Sequence, residues 1–228
     1  MARLLVHVEG QTEEEFVNSV VAPHLYEVGF TSVSARLVGA ARSRKRRGGI
    51  CGWPTARYEI FKHLSGDFGT YSTTIVDFYA LPAGDEDGWP GRNTCGHLSV
   101  ALKAKHVEQS MKADLTAQHT TNISSRFVPY VAMHEFEALL FSHPERMASA
   151  FGRPDLTPRF QEIRDGYETP EHINDSPVTA PSKRILTIIP GYQKILYGNI
   201  AAIDVTLETM RENCLGFDRW LSSLEAIP

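Results

Sequence analysis

The sequence predicts an α/β fold in which a mainly parallel sheet is flanked by helices and followed by a helical C-terminal extension. The chain opens with a strand, a helix and a second strand, which is the unit that builds parallel sheets. Its strongest strand pattern comes later, at residues 73–81, where β-branched and aromatic residues form a nearly continuous apolar run. The C-terminal part instead carries apolar residues at helical spacing.

Length and composition exclude several classes of protein. With 228 residues, 42% of them apolar and 22% charged, the chain is not disordered, collagen-like or a coiled coil. Its longest apolar stretches are far shorter than the ~20 residues that cross a bilayer, so no membrane contact is expected. The N-terminus lacks the order of a secretory signal, which predicts a cytoplasmic location. Three scattered cysteines argue against a disulfide framework and a cysteine-rich zinc site.

The first three elements follow from local patterns. Residues 3–8 are typical of a buried strand, and apolar positions spaced by three and four then predict a helix. We expect a capping box of Thr12 and Glu15 to begin that helix and Pro23 to kink it. Residues 33–38 alternate as a second strand.

The rest of the core is predicted in the same way. A short amphipathic helix is expected at residues 55–64 and a longer helical region at 97–117. Residues 81–96 are rich in Pro, Gly, Asp and Asn, which predicts a loop. Strand character returns over 126–133, where Pro129 indicates an irregular or edge position.

We divide the chain into two parts. Residues 1–150 would form the α/β core, with the loop around 81–96 inserted into it, and residues 151–228 would form an extension that packs on the core. The extension begins with a polar, proline-rich segment and continues with apolar residues at helical spacing. Its predicted helices cover residues 181–189, 200–212 and 217–224.

Acidic residues accompany three of the predicted strands. Glu9 closes the first, Asp77 lies late in the strongest, and Glu135 and Glu137 follow the last. Because the carboxyl ends of parallel strands face one edge of the sheet, these side chains should converge where open α/β folds bind ligands. Gathered carboxylates repel one another unless a hard divalent cation neutralises them. The sequence therefore predicts a Mg²⁺ (or Mn²⁺) site whose metal ligands and catalytic residues are Glu9, Asp77, Glu135 and Glu137.

Each of these residues also has a structural alternative. Glu9 could favour the positive end of the following helix, a role that fits Glu13 more simply. Asp77 stands in an apolar strand, where an unpaired carboxylate is costly, and therefore requires a partner or a function. Glu135 and Glu137 are two positions apart, so both face one site only where the backbone is extended.

Basic residues provide candidate phosphate contacts. Because the net charge of the chain is −4, no positive field covers the whole protein, and a phosphate must be bound by a local group of cations. Two cations at the start of a predicted helix could hold phosphate oxygens or simply face solvent. A basic loop could grip a nucleic-acid backbone, dock an acidic partner protein or be solvated. The candidates are Lys183 and Arg184 in the helix and Arg44, Lys45, Arg46 and Arg47 in the loop, with Tyr192 and Lys194 as weaker ones.

Four stretches of the sequence, in order, carry a resemblance to a known family. The stretches are Val8-Glu9-Gly10-Gln11-Thr12-Glu13, Val76-Asp77-Phe78-Tyr79, His134-Glu135-Phe136-Glu137-Ala138-Leu139-Leu140-Phe141 and Ala180-Pro181-Ser182-Lys183-Arg184-Ile185. The first resembles the opening motif of Toprim domains, the metal-binding fold of topoisomerases, primases and overcoming-lysogenization-defect nucleases. The whole chain is similar to a widespread bacterial Toprim-like family of unknown function, often encoded beside an AAA-type ATPase.

The resemblance implies a Toprim-like, Rossmann-like fold and roles for several acids. Glu9 matches the invariant Toprim glutamate, which serves as metal ligand or general acid/base, and Asp77 matches the first aspartate of an Asp-x-Asp pair. Tyr79 stands where the second aspartate is expected. Glu135 or Glu137 would then supply the missing ligand. The implied function is a Mg²⁺-dependent nuclease or related phosphoryl-transfer effector, in bacterial anti-phage defence with an ATPase partner.

Two other functions remain open at the level of sequence. One is a non-catalytic Toprim-like module that binds nucleotide, nucleic acid or a partner protein, which Tyr79 favours. The other is an enzyme that uses the same metal on a small phosphorylated substrate, which the basic loop disfavours because a small ligand needs fewer cations. Convergence of Glu9, Asp77 and Glu135 or Glu137 would favour a metal site over scattered surface acids.

Overall fold

A parallel sheet forms the centre of the protein. The computed structural model describes residues 1–39, 50–119, 121–174 and 179–228. The strands are β1 (Arg3–Val8), β2 (Ser32–Leu37), β3 (Thr70–Asp77), β4 (Phe127–Val128) and β5 (Val131–Ala132). They form a sheet of order β2-β1-β3-β4, in which β5 also pairs with β3 and each pairing is parallel. The predicted α/β fold is confirmed, and its arrangement is consistent with a Rossmann-like fold.

Helices flank this sheet and make up the C-terminal extension. The helices of the first part are α1 (Gln11–Phe16), α2 (Ala22–Glu27), α3 (Trp53–Leu64), α4 (Val100–Gln118), α5 (Thr121–Ser125) and α6 (Pro144–Ala150). Those that follow are α7 (Thr157–Asp165), α8 (Pro181–Ile188), α9 (Lys194–Val205), α10 (Leu207–Asn213) and α11 (Leu215–Glu225). Within the described residues, no helix is long and apolar enough to span a bilayer.

Two apolar cores lie on opposite faces of the sheet. Leu4, Val6 and Val8 of β1 pack into the first core with side chains of α1, α2 and the C-terminal helices. The second core contains Val76 of β3 and side chains from α3 and α4. Trp220 of α11 donates a hydrogen bond from Nε1 to Thr73 Oγ1 at 2.8 Å, which anchors the C-terminal extension to the middle of the sheet.

The first helical region differs from its prediction in two ways. The expected capping box is wrong, because Gly10 is the N-cap of α1 and no side chain caps the helix. At the expected kink, a π-helical turn, Val17–Val21, joins α1 to α2. In that turn the Ala22 N–H bonds the carbonyl of Val17. The wider turn accommodates Pro23, which lacks an N–H and whose ring crowds the carbonyl four residues earlier.

Several other boundaries differ from the predicted ones. The strand β3 ends at Asp77, and a 3₁₀ turn, Phe78–Ala80, replaces its predicted last residues. Strand character over 126–133 is interrupted at Pro129, as expected. The helix predicted over 200–212 is in fact split between α9 and α10 at Thr206, whose φ is +74°. The polar segment after residue 152 contains the helix α7.

Candidate functional site

Two carboxylates leave neighbouring strands at the same edge of the sheet. Asp77 is the last residue of β3, and Glu9 directly follows β1, which pairs with β3 in parallel. The backbone N–H of Asp77 donates a long hydrogen bond to Glu9 Oε2 at 3.5 Å. Both residues are half-buried. The parallel pairing of the two strands therefore brings together side chains that are far apart in sequence.

Glu13 is a third carboxylate at this edge. It lies in the first turn of α1 and is buried. A Cβ atom at Gly10 would stand only 3.1 Å from Glu13 Oε2, so the missing side chain of Gly10 leaves room for this carboxylate beside the end of β1. Sequence reasoning assigned Glu13 to the helix dipole, but the structure also brings it to the acidic residues. The sequence signal that could have indicated this position of Glu13 is Gly10, which directly follows Glu9 and stands three residues before Glu13.

Burial and neighbouring negative charges raise the pKa values of Asp77 and Glu9. The pKa of Asp77 is raised well above its usual value, first by burial and then by the negative charges of Glu9 and Glu13. The pKa of Glu9 is raised by burial and by Glu13, although the N–H of Asp77 and the charge of Lys194 oppose the shift. The raised pKa values of Asp77 and Glu9 thus reflect burial first and the repulsion between neighbouring carboxylates second.

The later acidic pair reaches the same region through two different contacts. Glu135 precedes a 3₁₀ turn, Phe136–Ser142, and its Oε2 accepts a hydrogen bond from the backbone N–H of Ser182 in α8 at 2.8 Å. Glu137 lies inside the turn, fully buried, and its Oε2 stands 2.9 Å from Lys194 Nζ. Burial raises the pKa of Glu137 to about 7, against the lowering effect of Lys194.

Lys194 is the cation of this group. It is the first residue of α9, and about a third of its side chain is exposed. Burial lowers its pKa, but Glu137, Glu13 and further carboxylates outweigh that effect, so the net pKa is raised. We call the group the acidic cluster; it consists of Glu9, Glu13, Asp77, Glu135 and Glu137 around Lys194.

A narrow cavity reaches the acidic cluster from the first core. Its apolar lining includes Phe16, Tyr130 and Phe217, and its polar lining consists of Asp77, His134, Glu135 and Glu171. Its volume of about 20 Å³ is close to that of a single water site. The cavity is therefore too small to hold a ligand larger than water.

The carboxylate oxygens of the acidic cluster suit a hard cation, but their side chains do not form a compact set of metal ligands. In the parts of the chain that the structure describes, no three His, Cys, Asp or Glu residues are grouped as metal ligands would be. Glu135 is engaged by Ser182 and Glu137 by Lys194, whereas Glu9 and Asp77 are adjacent and carry raised pKa values. Carboxylate oxygens with surplus charge fit Mg²⁺ or Mn²⁺, for which Glu9 and Asp77 would be the first ligands.

A family model described as a domain of unknown function, DUF4276, matches residues 8–225. The chain belongs to the DUF4276 family. The match starts at the end of β1 and runs to the end of α11, so it includes the whole acidic cluster. Comparison with curated proteins and with solved structures finds no match. Membership in DUF4276 therefore establishes the family and leaves its activity to be inferred from the site.

The predicted phosphate-binding residues of this DUF4276 chain differ in their contacts and in their exposure to solvent. Arg184 donates from Nε to the carbonyl of Thr179 at 2.7 Å, and its guanidinium lies 5.3 Å from the ring centroid of Tyr167, so it makes structural contacts. Lys183 is exposed on α8. The basic residues of the loop, Arg44, Lys45, Arg46 and Arg47, lie outside the described residues.

Two aromatic residues border the acidic cluster of the DUF4276 chain. Tyr79, at the position where the resemblance expects an aspartate, lies in the 3₁₀ turn after Asp77 and is exposed. Its ring is parallel to that of His134, with 5.3 Å between the centroids. Tyr192 lies beside the buried acids, where burial and then Glu137 raise the pKa of its hydroxyl. Sequence reasoning regarded Tyr192 and Lys194 as weak phosphate contacts.

Proposed function

We propose that this DUF4276 protein is a Mg²⁺- or Mn²⁺-dependent nuclease, or a related phosphoryl-transfer enzyme, whose metal is held by Glu9 and Asp77. The observation that carries the proposal is the contact of Glu9 Oε2 with the N–H of Asp77 at the carboxyl edge of a parallel sheet. Ligands of open α/β folds bind at that edge.

The charge balance of the acidic cluster supports a divalent cation. Five carboxylates surround the ammonium of Lys194, and repulsion from neighbouring carboxylates adds to burial in raising the pKa values of Glu9 and Asp77. A bound divalent cation would remove that repulsion, polarise a phosphodiester and lower the pKa of a bound water.

Lys194 has a role of its own in this proposal. An ammonium group has three donors, and only one contact, to Glu137, is needed to hold it in place. Because its pKa is raised and its side chain is partly exposed, Lys194 stays charged and can also donate to a phosphate oxygen. The buried Glu137 would thus hold Lys194 in position to bind phosphate. This role is in addition to the role as a metal ligand that the sequence suggests for Glu137.

The assignment of a Toprim-type site rests on the resemblance of the sequence to the Toprim-like family. The four stretches similar to the Toprim-like family, and Glu9 following the first strand, support a Toprim-type site. An AAA-type ATPase partner, a role in bacterial defence, a cytoplasmic location and nucleic-acid contact through the basic loop are further parts of the proposal. They are supported by the sequence alone.

A non-catalytic binding module is the second candidate. The observation that favours it is the ion pair between Glu137 and Lys194, which already occupies one of the expected ligands. Tyr79, in place of a second aspartate, favours the same alternative.

A cleavage assay separates the two candidates. Labelled single- and double-stranded DNA and RNA would be incubated with Mg²⁺, Mn²⁺ or EDTA and with wild type, Glu9→Gln or Asp77→Asn. The exposed acids Glu27 and Asp204 provide the matched controls Glu27→Gln and Asp204→Asn.

We expect metal-dependent cleavage by wild type and both controls, and a loss of about 10²-fold or more in the two site variants. Full cleavage by either site variant would contradict the proposed ligands. The absence of both cleavage and metal binding in wild type would favour the binding module.

A further inference from the structure

Tyr79 is an exposed aromatic residue beside the acidic cluster. The 3₁₀ turn Phe78–Ala80 carries it directly after Asp77, at the end of β3. Tyr79 is 54% exposed, although Phe78 before it and His134 beside it are buried. A large aromatic surface is therefore left open to solvent directly after Asp77 of the acidic cluster.

Three neighbours hold the Tyr79 ring in one orientation. His134 lies parallel to it, with an angle of 3° between the ring planes, and Phe78 meets it almost perpendicularly, with the centroids 5.2 Å apart. The Arg92 guanidinium lies 5.9 Å from the Tyr79 centroid and 4.2 Å from that of Phe78. A ring fixed in this way can stack on a ligand at a lower entropic cost than a mobile surface side chain.

Arg92 adds hydrogen-bond donors next to this ring. Its Nε donates to the carbonyl of Phe78 at 3.0 Å, which orients the guanidinium. Its two terminal nitrogens make no hydrogen bond to any residue in the described parts of the chain. An oriented guanidinium whose terminal nitrogens are not engaged by the described residues suits a phosphate oxygen.

The three features together select one kind of ligand. A planar ring of the ligand would stack on Tyr79, and a phosphate of the ligand would accept a hydrogen bond from Arg92. The acidic cluster begins at Asp77, two residues before Tyr79. We infer that Tyr79, supported by His134 and Arg92, binds an unpaired nucleobase, so that single-stranded nucleic acid is the substrate class of the acidic cluster. A duplex hides the faces of its bases and cannot stack in this way. The inference rests on the proposed function in treating the cluster as the reacting site.

Binding measurements test the inference separately from catalysis. A short single-stranded oligonucleotide that contains 2-aminopurine would be titrated with wild type, Tyr79→Ala and Tyr79→Phe in Ca²⁺, with the intact length of the probe checked afterwards. Tyr58 in α3 is 56% exposed, so Tyr58→Ala is the matched control. A fully abasic oligonucleotide of the same length, a duplex and a nucleoside monophosphate would be compared, and thermal unfolding would show that each variant is folded.

We expect Tyr79→Ala to weaken binding of the single strand by about fivefold or more, because one base stacked on an aromatic ring contributes about 1–3 kcal/mol. Tyr79→Phe and Tyr58→Ala should bind within about twofold of wild type, since both keep the stacking ring. The abasic oligonucleotide should bind wild type and Tyr79→Ala alike. Unchanged binding of the single strand by Tyr79→Ala would overturn the inference. Binding of the nucleoside monophosphate or the duplex to wild type as tightly as the single strand would overturn it as well.

The two proposals fail in distinguishable ways. Cleavage that depends on Asp77 but is indifferent to Tyr79→Ala, with binding also unchanged, would overturn the stacking site and leave the nuclease proposal standing. Tyr79-dependent binding by a wild type that shows neither metal-dependent cleavage nor metal binding would uphold the stacking site and overturn the nuclease.

Discussion

Glu137 and Lys194 form an ion pair in which the carboxylate is fully buried and the ammonium is partly exposed, with 2.9 Å between Oε2 and Nζ. The pair joins the 3₁₀ turn after Glu135 to the first residue of α9. It places the cation of the acidic cluster among carboxylates contributed by β1, β3 and α1. The charge of Lys194 therefore matters both to the stability of the fold and to the chemistry of the site.

Removal of Lys194 should be strongly destabilising. Lys194→Met leaves Glu137 buried without its partner, which costs about 3 kcal/mol, the low end for buried pairs because Lys194 is partly exposed. In a chain of this size we expect the thermal midpoint to fall by about 2–4 °C for each kcal/mol. The double variant Lys194→Met/Glu137→Gln should recover much of the loss. A double variant no more stable than the single one would contradict the pairing.

Neutralising Asp77 should stabilise the protein, and more so at higher pH. The folded pKa of Asp77 is raised, so the folded state binds its proton more tightly than the unfolded state does. Stability is then lost as the pH rises above the usual carboxyl pKa, and Asp77→Asn removes that loss.

Thermal unfolding at pH 5 and pH 8 measures this effect. We expect the Asp77→Asn midpoint to exceed the wild-type one at pH 8 by about 2–4 °C for each kcal/mol of burial and repulsion cost that the substitution removes, and by less at pH 5. The control Asp204→Asn should show no such difference between the two pH values. A larger gain at pH 5 than at pH 8 would contradict the sign of the shift.

Gly198 should not tolerate a side chain, although it lies in a helix. A Cβ at this position would be 2.9 Å from the Tyr192 hydroxyl oxygen and 3.4 Å from Phe136. Alanine in a helix normally gains up to about 1 kcal/mol over glycine, but crowding a packed site costs about 1–3 kcal/mol. Gly198→Ala should therefore lower the free energy of unfolding in urea. Gly84→Ala, which adds its Cβ to open space, is the control, and an equal or higher stability of Gly198→Ala would exclude the clash.

The sequence was sufficient to predict the part of the site that strand order controls. The apolar runs of β1 and β3 and their acidic ends are local patterns, and parallel pairing then requires Glu9 and Asp77 to meet. Their contact is the long hydrogen bond from the Asp77 N–H. The convergence of these two carboxylates is therefore predictable without tertiary information.

The remaining members of the site depend on packing that local patterns do not contain. Lys194 follows Asp77 by more than a hundred residues and reaches the carboxylates only because α9 packs against α1. Glu13 joins the cluster because Gly10 leaves space for it, and a first-turn glutamate is common in helices without a site. The break at Thr206 was missed because no glycine or proline accompanies its positive φ.

Calorimetric titration with Mg²⁺ and Mn²⁺ shows whether Glu9 and Asp77 hold a metal. We expect binding by wild type, Asp204→Asn and Glu27→Gln, and at least about tenfold weaker binding by Asp77→Asn and Glu9→Gln, since each removes one charged ligand. Bound metal should also raise the thermal midpoint of wild type. No binding of either ion to wild type, or equal binding by wild type and Asp77→Asn, would contradict the proposed metal site.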